Sequence, residues 1–469
     1  MKFLYSSLLL LLFVAVSFFS WKQEKAVVDT SITQTIEKSN SAEGSSLFFQ
    51  LLSTPDPVMQ DALIDNISKN WKESYEILAL ESYYFTNDSK VRTRLFELFM
   101  EKTKQRSNTT LDSWFQYIWN KKAAYTDDYF EFKAQLHKSI DKRFEKYFKG
   151  RSHQSLIRLD EVRWGGVLQD GIPPLRQPNM IGANEATYLE DSNIVFGIEV
   201  NGEARAYPKR ILAWHEMFVD NVGGIPLAGV YCTLCGTVIL YKTEHGGIHH
   251  ELGTSGFLYR SNKLMYDKAT QSLWSTLEGK PVIGPLVNKG IELDFMSVVT
   301  TTWGQWKELH PTTTVLSLQT GHQRDYGEGV AYKKYFATDD LMFTVPKIDT
   351  SLKNKDEILA IRLPKKSDGN LAISSKFLKK NAIFHSELKG IPFVVFTDRT
   401  GAHRTYFTKG LKFESYDKNL RAKDENGLEW TLSEGRMMSA QGAILERFPS
   451  HNAFWFGYKA AFPNVELIK

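Results

Sequence analysis

Leu227-Ala228-Gly229-Val230-Tyr231-Cys232-Thr233-Leu234-Cys235-Gly236-Thr237-Val238-Ile239-Leu240-Tyr241 sets two short runs of β-branched and large apolar residues on either side of a Cys-x-x-Cys-Gly turn. Such residues favour strands because their side chains pack well on a pleated surface. A dithiol of the thioredoxin kind instead sits at a helix N-terminus, where unsatisfied backbone N–H groups stabilise the thiolate. Thr237 to Tyr241 does not support that helix. The order predicts strand, knuckle, strand, with Gly236 letting the backbone fold beneath the sulfurs.

Cys232 and Cys235 are the only cysteines of the chain, so no disulfide framework holds the fold. Three chemistries stay open for the pair: a metal site, a structural disulfide, or a thiol redox centre. The metal reading leads, because the knuckle is like those of rubredoxins and zinc ribbons. Two sulfurs do not fill a tetrahedral shell, so nitrogen or oxygen must complete it. His215 and Glu216, in Trp214-His215-Glu216-Met217 just upstream of the Cys-bearing strand, are the expected further ligands, with Asp220 and Asn221 close behind. A second cluster, His245, His249 and His250, lies beyond the next strand. Soft thiolates with imidazole suit zinc or copper. Gly236 in place of a histidine argues against a c-type haem.

Working outward, the segment after Arg151 reads as short β-rich runs punctuated by glycine and proline, and it repeats itself. Gly224-Ile225-Pro226 recurs as Gly390-Ile391-Pro392. Ser272-Leu273-Trp274 to Gly279 recurs as Leu428-Glu429-Trp430 to Gly435, and Trp303 to Pro311 as Trp455 to Pro463. The offset drifts from 166 to 156 to 152 residues, as small loop deletions produce. Counted from the shared Gly-Ile-Pro, Cys232 faces Asp398 and Cys235 faces Gly401, so the second half keeps the scaffold without the thiols. Trp274 and Trp303 recur as Trp430 and Trp455, which assigns them to packing. Gly253-Thr254-Ser255-Gly256 reads as a β-turn, and Asp267 as the cap of the turn at Lys268-Ala269-Thr270.

Ahead of this unit, Ser46 to Gly150 carries helical spacing, as in Trp71, Tyr75, Leu78, Ala79 and in Val91, Leu95, Leu98, Phe99. Thr54-Pro55-Asp56-Pro57 reads as a helix entry and Asn87-Asp88-Ser89 as a break. Residues 21–45 are polar and read as a flexible linker. Lys2 and the apolar run Leu8 to Phe19 have the anatomy of an export signal, cleaved or kept as an anchor. Fifty-eight Lys+Arg against 54 Asp+Glu leave no basic stripe for nucleic acid, and 42% hydrophobic residues exclude a wholly disordered chain.

Several motifs together resemble one family. They are Arg158-Leu159-Asp160-Glu161-Val162, Asp170-Gly171-Ile172-Pro173-Pro174, Gly202 to Pro208, Ile211 to Glu216, Tyr231 to Gly236, Met265-Tyr266-Asp267, Ser272-Leu273-Trp274 and His310-Pro311. The chain is similar through them to the DUF3179 domain-containing proteins. That resemblance implies export and marks the Cys-x-x-Cys segment as a hallmark, and it brings no established activity.

The expectation is therefore an α+β protein. Residues 1–20 form a signal peptide or membrane anchor, 21–45 a linker, 46–150 an all-helical region, 151–340 a first half with the Cys-x-x-Cys, and 341–469 a second, thiol-free half. Its leading function is to bind zinc or copper through Cys232, Cys235, His215 and Glu216, exported to the periplasm, the outside or an outward-facing membrane tether. The alternatives are a thiol-disulfide oxidoreductase acting through Cys232 and Cys235, and a non-catalytic binding module with a structural disulfide. The helical region offers a surface for a protein partner, and contact with membrane is expected through the N-terminal segment alone.

Overall fold

The computed structural model describes residues 43–105, 110–363 and 369–469. The expected export segment and most of the expected linker lie outside them, and no described helix is long and apolar enough to cross a membrane. Six helices open the described chain: Glu43–Ser53, Pro57–Lys69, Tyr75–Phe85, Ser89–Thr103, Leu111–Trp119 and Asp128–Lys138. Their starts follow the expected signals. Asp56 caps the amide of Val58 ahead of Pro57, and Asp88 caps Lys90 and Val91, each satisfying N–H groups that a helix leaves unpaired. Trp71 departs from expectation. It precedes the helix that begins at Tyr75 and packs its ring edge-on against that tyrosine, 6.2 Å between centroids.

The β-rich region repeats one topology twice. In the first half, Ile194–Val200 and Glu203–Pro208 form a hairpin followed by the helix Lys209–His215. A three-stranded meander, Met217–Val222, Ile225–Cys232 and Thr237–Lys242, comes next, then a second meander over Leu252–Tyr259, Asn262–Asp267, Leu273–Ser275 and Lys280–Ile283. Val299–Thr302 returns antiparallel to Ile194–Val200, the helix Trp303–Leu309 follows, and Thr314–Leu316 pairs parallel to Glu203–Pro208. The second half runs through the same steps. Its hairpin is Glu357–Arg362 with Asn370–Ser374, and its helix is Ser375–Lys380. The first meander is Ile383–Leu388, Ile391–Thr397 and His403–Phe407, and the second begins at Phe413–Tyr416. Ser450–Phe454 then returns antiparallel to Glu357–Arg362, and Glu466–Ile468 pairs parallel to Asn370–Ser374 after the helix Trp455–Ala461. Gly253 to Gly256 is not a turn. It lies inside Leu252–Tyr259, where the register shifts between Thr254 and Leu258 and Gly256 has φ +84°.

The halves embrace reciprocally. The turn of the first half's meander packs on Phe454, Phe456 and Ala460 at the strand-to-helix junction of the second. The matching turn of the second half packs on the first half's junction. There Ala402 joins the cluster of Val299, Trp303 and Trp306, and Arg399 Nε donates to Gln305 Oε1 at 2.7 Å. This has the form of an isologous contact made within one chain. The six helices cover the outer face of the first half's second meander, through a shared core that includes Phe257, Leu264, Tyr266, Leu273 and Ile283.

Candidate functional site

The Cys-x-x-Cys segment is the expected strand, knuckle, strand. Cys232 pairs with Thr237 at the closing rung of the hairpin, and Gly236 takes φ +59°. A side chain at Gly236 is excluded twice. The left-handed backbone disfavours it, and its Cβ would lie 2.7 Å from Cδ1 of Phe454. Three hydrogen bonds pin the turn: Phe454 N to Cys235 O at 2.8 Å, Tyr335 Oη to Leu234 O at 2.7 Å and Thr237 Oγ1 to Cys235 O at 3.2 Å. Cys232 and Cys235 are joined as a disulfide and are 2% and 1% exposed, among Val345, Phe454, Phe456 and Ala460.

The expected metal centre of Cys232, Cys235, His215 and Glu216 is not brought together. The sulfurs are bonded to each other, and a disulfide has no thiolate to offer a metal. His215 ends the helix Lys209–His215, with Nδ1 2.9 Å from Pro173 O and Nε2 2.6 Å from the Tyr326 hydroxyl, so both ring nitrogens are engaged. Burial pushes its pKa down to about 4, so the ring is neutral. It donates from Nδ1 and accepts from Tyr326. Glu216 adopts φ +54° and pairs with the buried ammonium of Lys263 at 3.1 Å. Asp220 accepts from Arg205 at 2.6 Å and Tyr207 at 2.7 Å, while Asn221 sits exposed near the hairpin turn. His245 and His249 lie on a separate small hairpin, and His250 contacts Asp267. Among the described residues no group of three or more His, Cys, Asp or Glu side chains is placed to hold a metal ion.

His215 and Glu216 belong instead to a row of anchors. The chain between the halves crosses the corner after Lys209–His215, and that corner holds it in place. Arg210 Nε donates to Tyr326 O, Trp214 Nε1 donates to Asp325 O at 2.8 Å, His215 accepts from the Tyr326 hydroxyl, and Tyr332 reaches Glu216 at 3.4 Å. Tyr335, farther along the same segment, caps the cysteine turn. The signal was present in the sequence as three tyrosines within ten residues, Tyr326, Tyr332 and Tyr335, opposite a cluster of polar side chains.

A second junction went unassigned. Arg158 Nη1 donates to the carbonyls of Trp119 and Lys121 at the end of a helix, at 2.9 and 2.7 Å, and its Nη2 meets Asp160 at 2.5 Å. Glu161 pairs with Arg260, whose Nη1 reaches Ala460 O of the second half at 3.0 Å. Arg158 to Glu161 thereby ties the helical region to both halves. Trp274 and Trp303 are packed in the core, as their recurrence implies, with Trp306 beside Trp303, and Asp267 Oδ1 accepts from Thr270 N at 2.7 Å as the expected turn cap.

No curated protein and no solved structure matches the chain. The model of one family, described as a protein of unknown function (DUF3179), matches residues 169–465. That span takes in both halves of the repeat, starts after the Arg158 to Val162 motif, and leaves the six helices outside. With more than half of its length matched, the chain belongs to the DUF3179 family.

Proposed function

We propose that this protein is a non-catalytic binding module of an oxidising compartment, exported or tethered outside the cytoplasm, in which Cys232–Cys235 is a structural clasp. One observation carries the reading: the disulfide is buried where the first half's turn enters the second half, against Phe454 and Phe456. A catalytic disulfide has to be met by an attacking thiolate, and its exchange rate depends on access. A metal knuckle needs free thiolates and a further ligand, whereas His215 and Glu216 here fasten the inter-half segment. The apolar run Leu8 to Phe19 supports export, because disulfides persist in oxidising compartments.

The test uses the full chain under native conditions. Thiol labelling after mild reductant, read by mass spectrometry, is expected to leave both cysteines unmodified until the protein is unfolded. Insulin-reduction assays are expected to show no turnover, and reduced protein offered Zn(II) or Cu(I) is expected to retain no stoichiometric metal. Labelling of the folded protein together with insulin turnover would overturn the reading in favour of redox exchange. Stoichiometric metal that vanishes in Cys232→Ser would overturn it in favour of metal binding.

A further inference from the structure

The repeat supplies an internal control for a site elsewhere in the first half. In the second half, Asp424 and Trp430 form a direct pair, with indole Nε1 donating to Oδ2 at 2.9 Å. Their counterparts are Asp267 and Trp274, and there the pair is broken. His250, which stands where the second half has Leu411, puts Nδ1 3.2 Å from Asp267 Oδ2. The Trp274 indole N–H and His250 Nε2 are each buried without a partner, on rings whose centroids are 5.0 Å apart. Buried polar atoms in native proteins are nearly always satisfied, so two on adjacent rings ask for an occupant. Their chemistry is complementary. In the tautomer whose hydrogen sits on Nδ1 and is given to the carboxylate, Nε2 accepts, while the indole N–H donates. A hydroxyl group answers both at once, giving its hydrogen to Nε2 and accepting from Nε1.

The first half also has, just before His250, a hairpin that its twin lacks. Glu244–His245 pairs with Ile248–His249 across Gly246 and Gly247, and the two strands join no larger sheet. An isolated two-stranded hairpin is marginally stable in water. It is tied back by Thr243, whose carbonyl accepts from His250 N at 2.8 Å and whose hydroxyl meets His249 at 3.2 Å.

We propose that His250 Nε2 and the Trp274 indole N–H form a two-point site for one hydroxyl of a small alcohol, next to the Glu244–His249 hairpin. The site adds a ligand to the binding-module reading and does not depend on the clasp.

Protein labelled with ¹⁵N in its tryptophan indoles tests it, with ethane-1,2-diol as the probe. The indole resonance that disappears in Trp274→Phe is expected to shift saturably with the diol. In His250→Leu, the residue type of the twin half, the apparent affinity is expected to fall at least tenfold. A resonance that stays still throughout the titration would sink the proposal, since a buried water alone gives that result. So would an unchanged response in His250→Leu. Should that variant fail to fold, the titration of the parent protein still decides. Insulin turnover and metal uptake report on Cys232 and Cys235 without involving His250, so the two readings fail separately.

Discussion

The turn at Cys232 to Thr237 and the turn at Asp398 to His403 hold the same place in their halves, and different chemistry closes them. The first is cross-linked by sulfur and sits among apolar side chains. In the second, Asp398 Oδ1 accepts from the amides of Thr400 and Ala402, and Oδ2 meets Arg404 at 2.8 Å. Arg404, wholly buried, also pairs with Glu434 at 2.7 Å, and Glu434 with Arg447 at 3.3 Å. One fold thus fastens the same reciprocal contact by a covalent bond at one end and an ionic network at the other.

The outer sheets differ as clearly. In the first half the cross-strand pair Met265–Trp274 faces the core between the halves, and the next pair, Tyr266–Leu273, faces the helices. In the second half Ala422–Trp430 takes the inner place and Lys423–Glu429 the outer, exposed to solvent. A strand apolar on both faces has to be covered, and one that alternates does not. That difference places the helical region on the first half alone.

The largest effect is expected at the ionic turn. Arg404→Met leaves buried Asp398 without its cation and Glu434 with Arg447 alone, and losing one member of a buried charge network costs about 3–5 kcal/mol. Denaturant unfolding measures it, and a loss below about 1 kcal/mol would mean that the network does not close the second turn. The clasp is worth less. For so short a loop, with sequence separation 3, the chain-entropy account gives about 2 kcal/mol, so the double Cys232→Ser, Cys235→Ser variant should fold and unfold at a lower denaturant midpoint.

Acid provides the next comparison. Burial depresses His403 in the second half and His451 where the halves meet, each to about 3, and His215 in the first half to about 4. An unfolded histidine titrates near its ordinary value of about 6.5. The unfolded state therefore binds more protons between that value and the folded one. The stability these neutral rings lend is complete above pH about 6.5 and is lost as the pH falls toward 4 and then 3. Each fully buried ring approaches a slope of about 1.4 kcal/mol per pH unit, and His403→Gln should flatten the decline measured from pH 7 to 5. The smallest effect belongs to the exposed sheet. Lys423→Ala, in a solvent-exposed pair, is expected to stay within about 0.5 kcal/mol, whereas Phe257→Ala beneath the helices should far exceed it.

Much of this was readable along the chain. The helix entry at Asp56, the break at Asp88 and the turn cap at Asp267 were legible because the capping that makes them joins residues two or three apart. The doubled topology was readable because Gly-Ile-Pro and the tryptophan motifs recur in order. The surroundings of the cysteines were not. Phe454 and Phe456 lie more than two hundred residues away, and no local pattern shows that they enclose the sulfurs. His215 and Glu216 stand out in the sequence as polar residues beside the Cys-bearing strand, but their partners Tyr326 and Tyr332 lie more than a hundred residues on in a segment of irregular backbone, which no local pattern connects to them.

Side-chain period, turn residues and capping spacings are local quantities, so they specified the helices, the hairpins and the strand-turn-strand about Cys232 and Cys235. Which partners meet at that turn, which face of each half is covered, and whether an imidazole is free to bind depend on contacts between distant segments. Those contacts follow from packing the two halves against each other, a result of the whole chain that no window of residues contains.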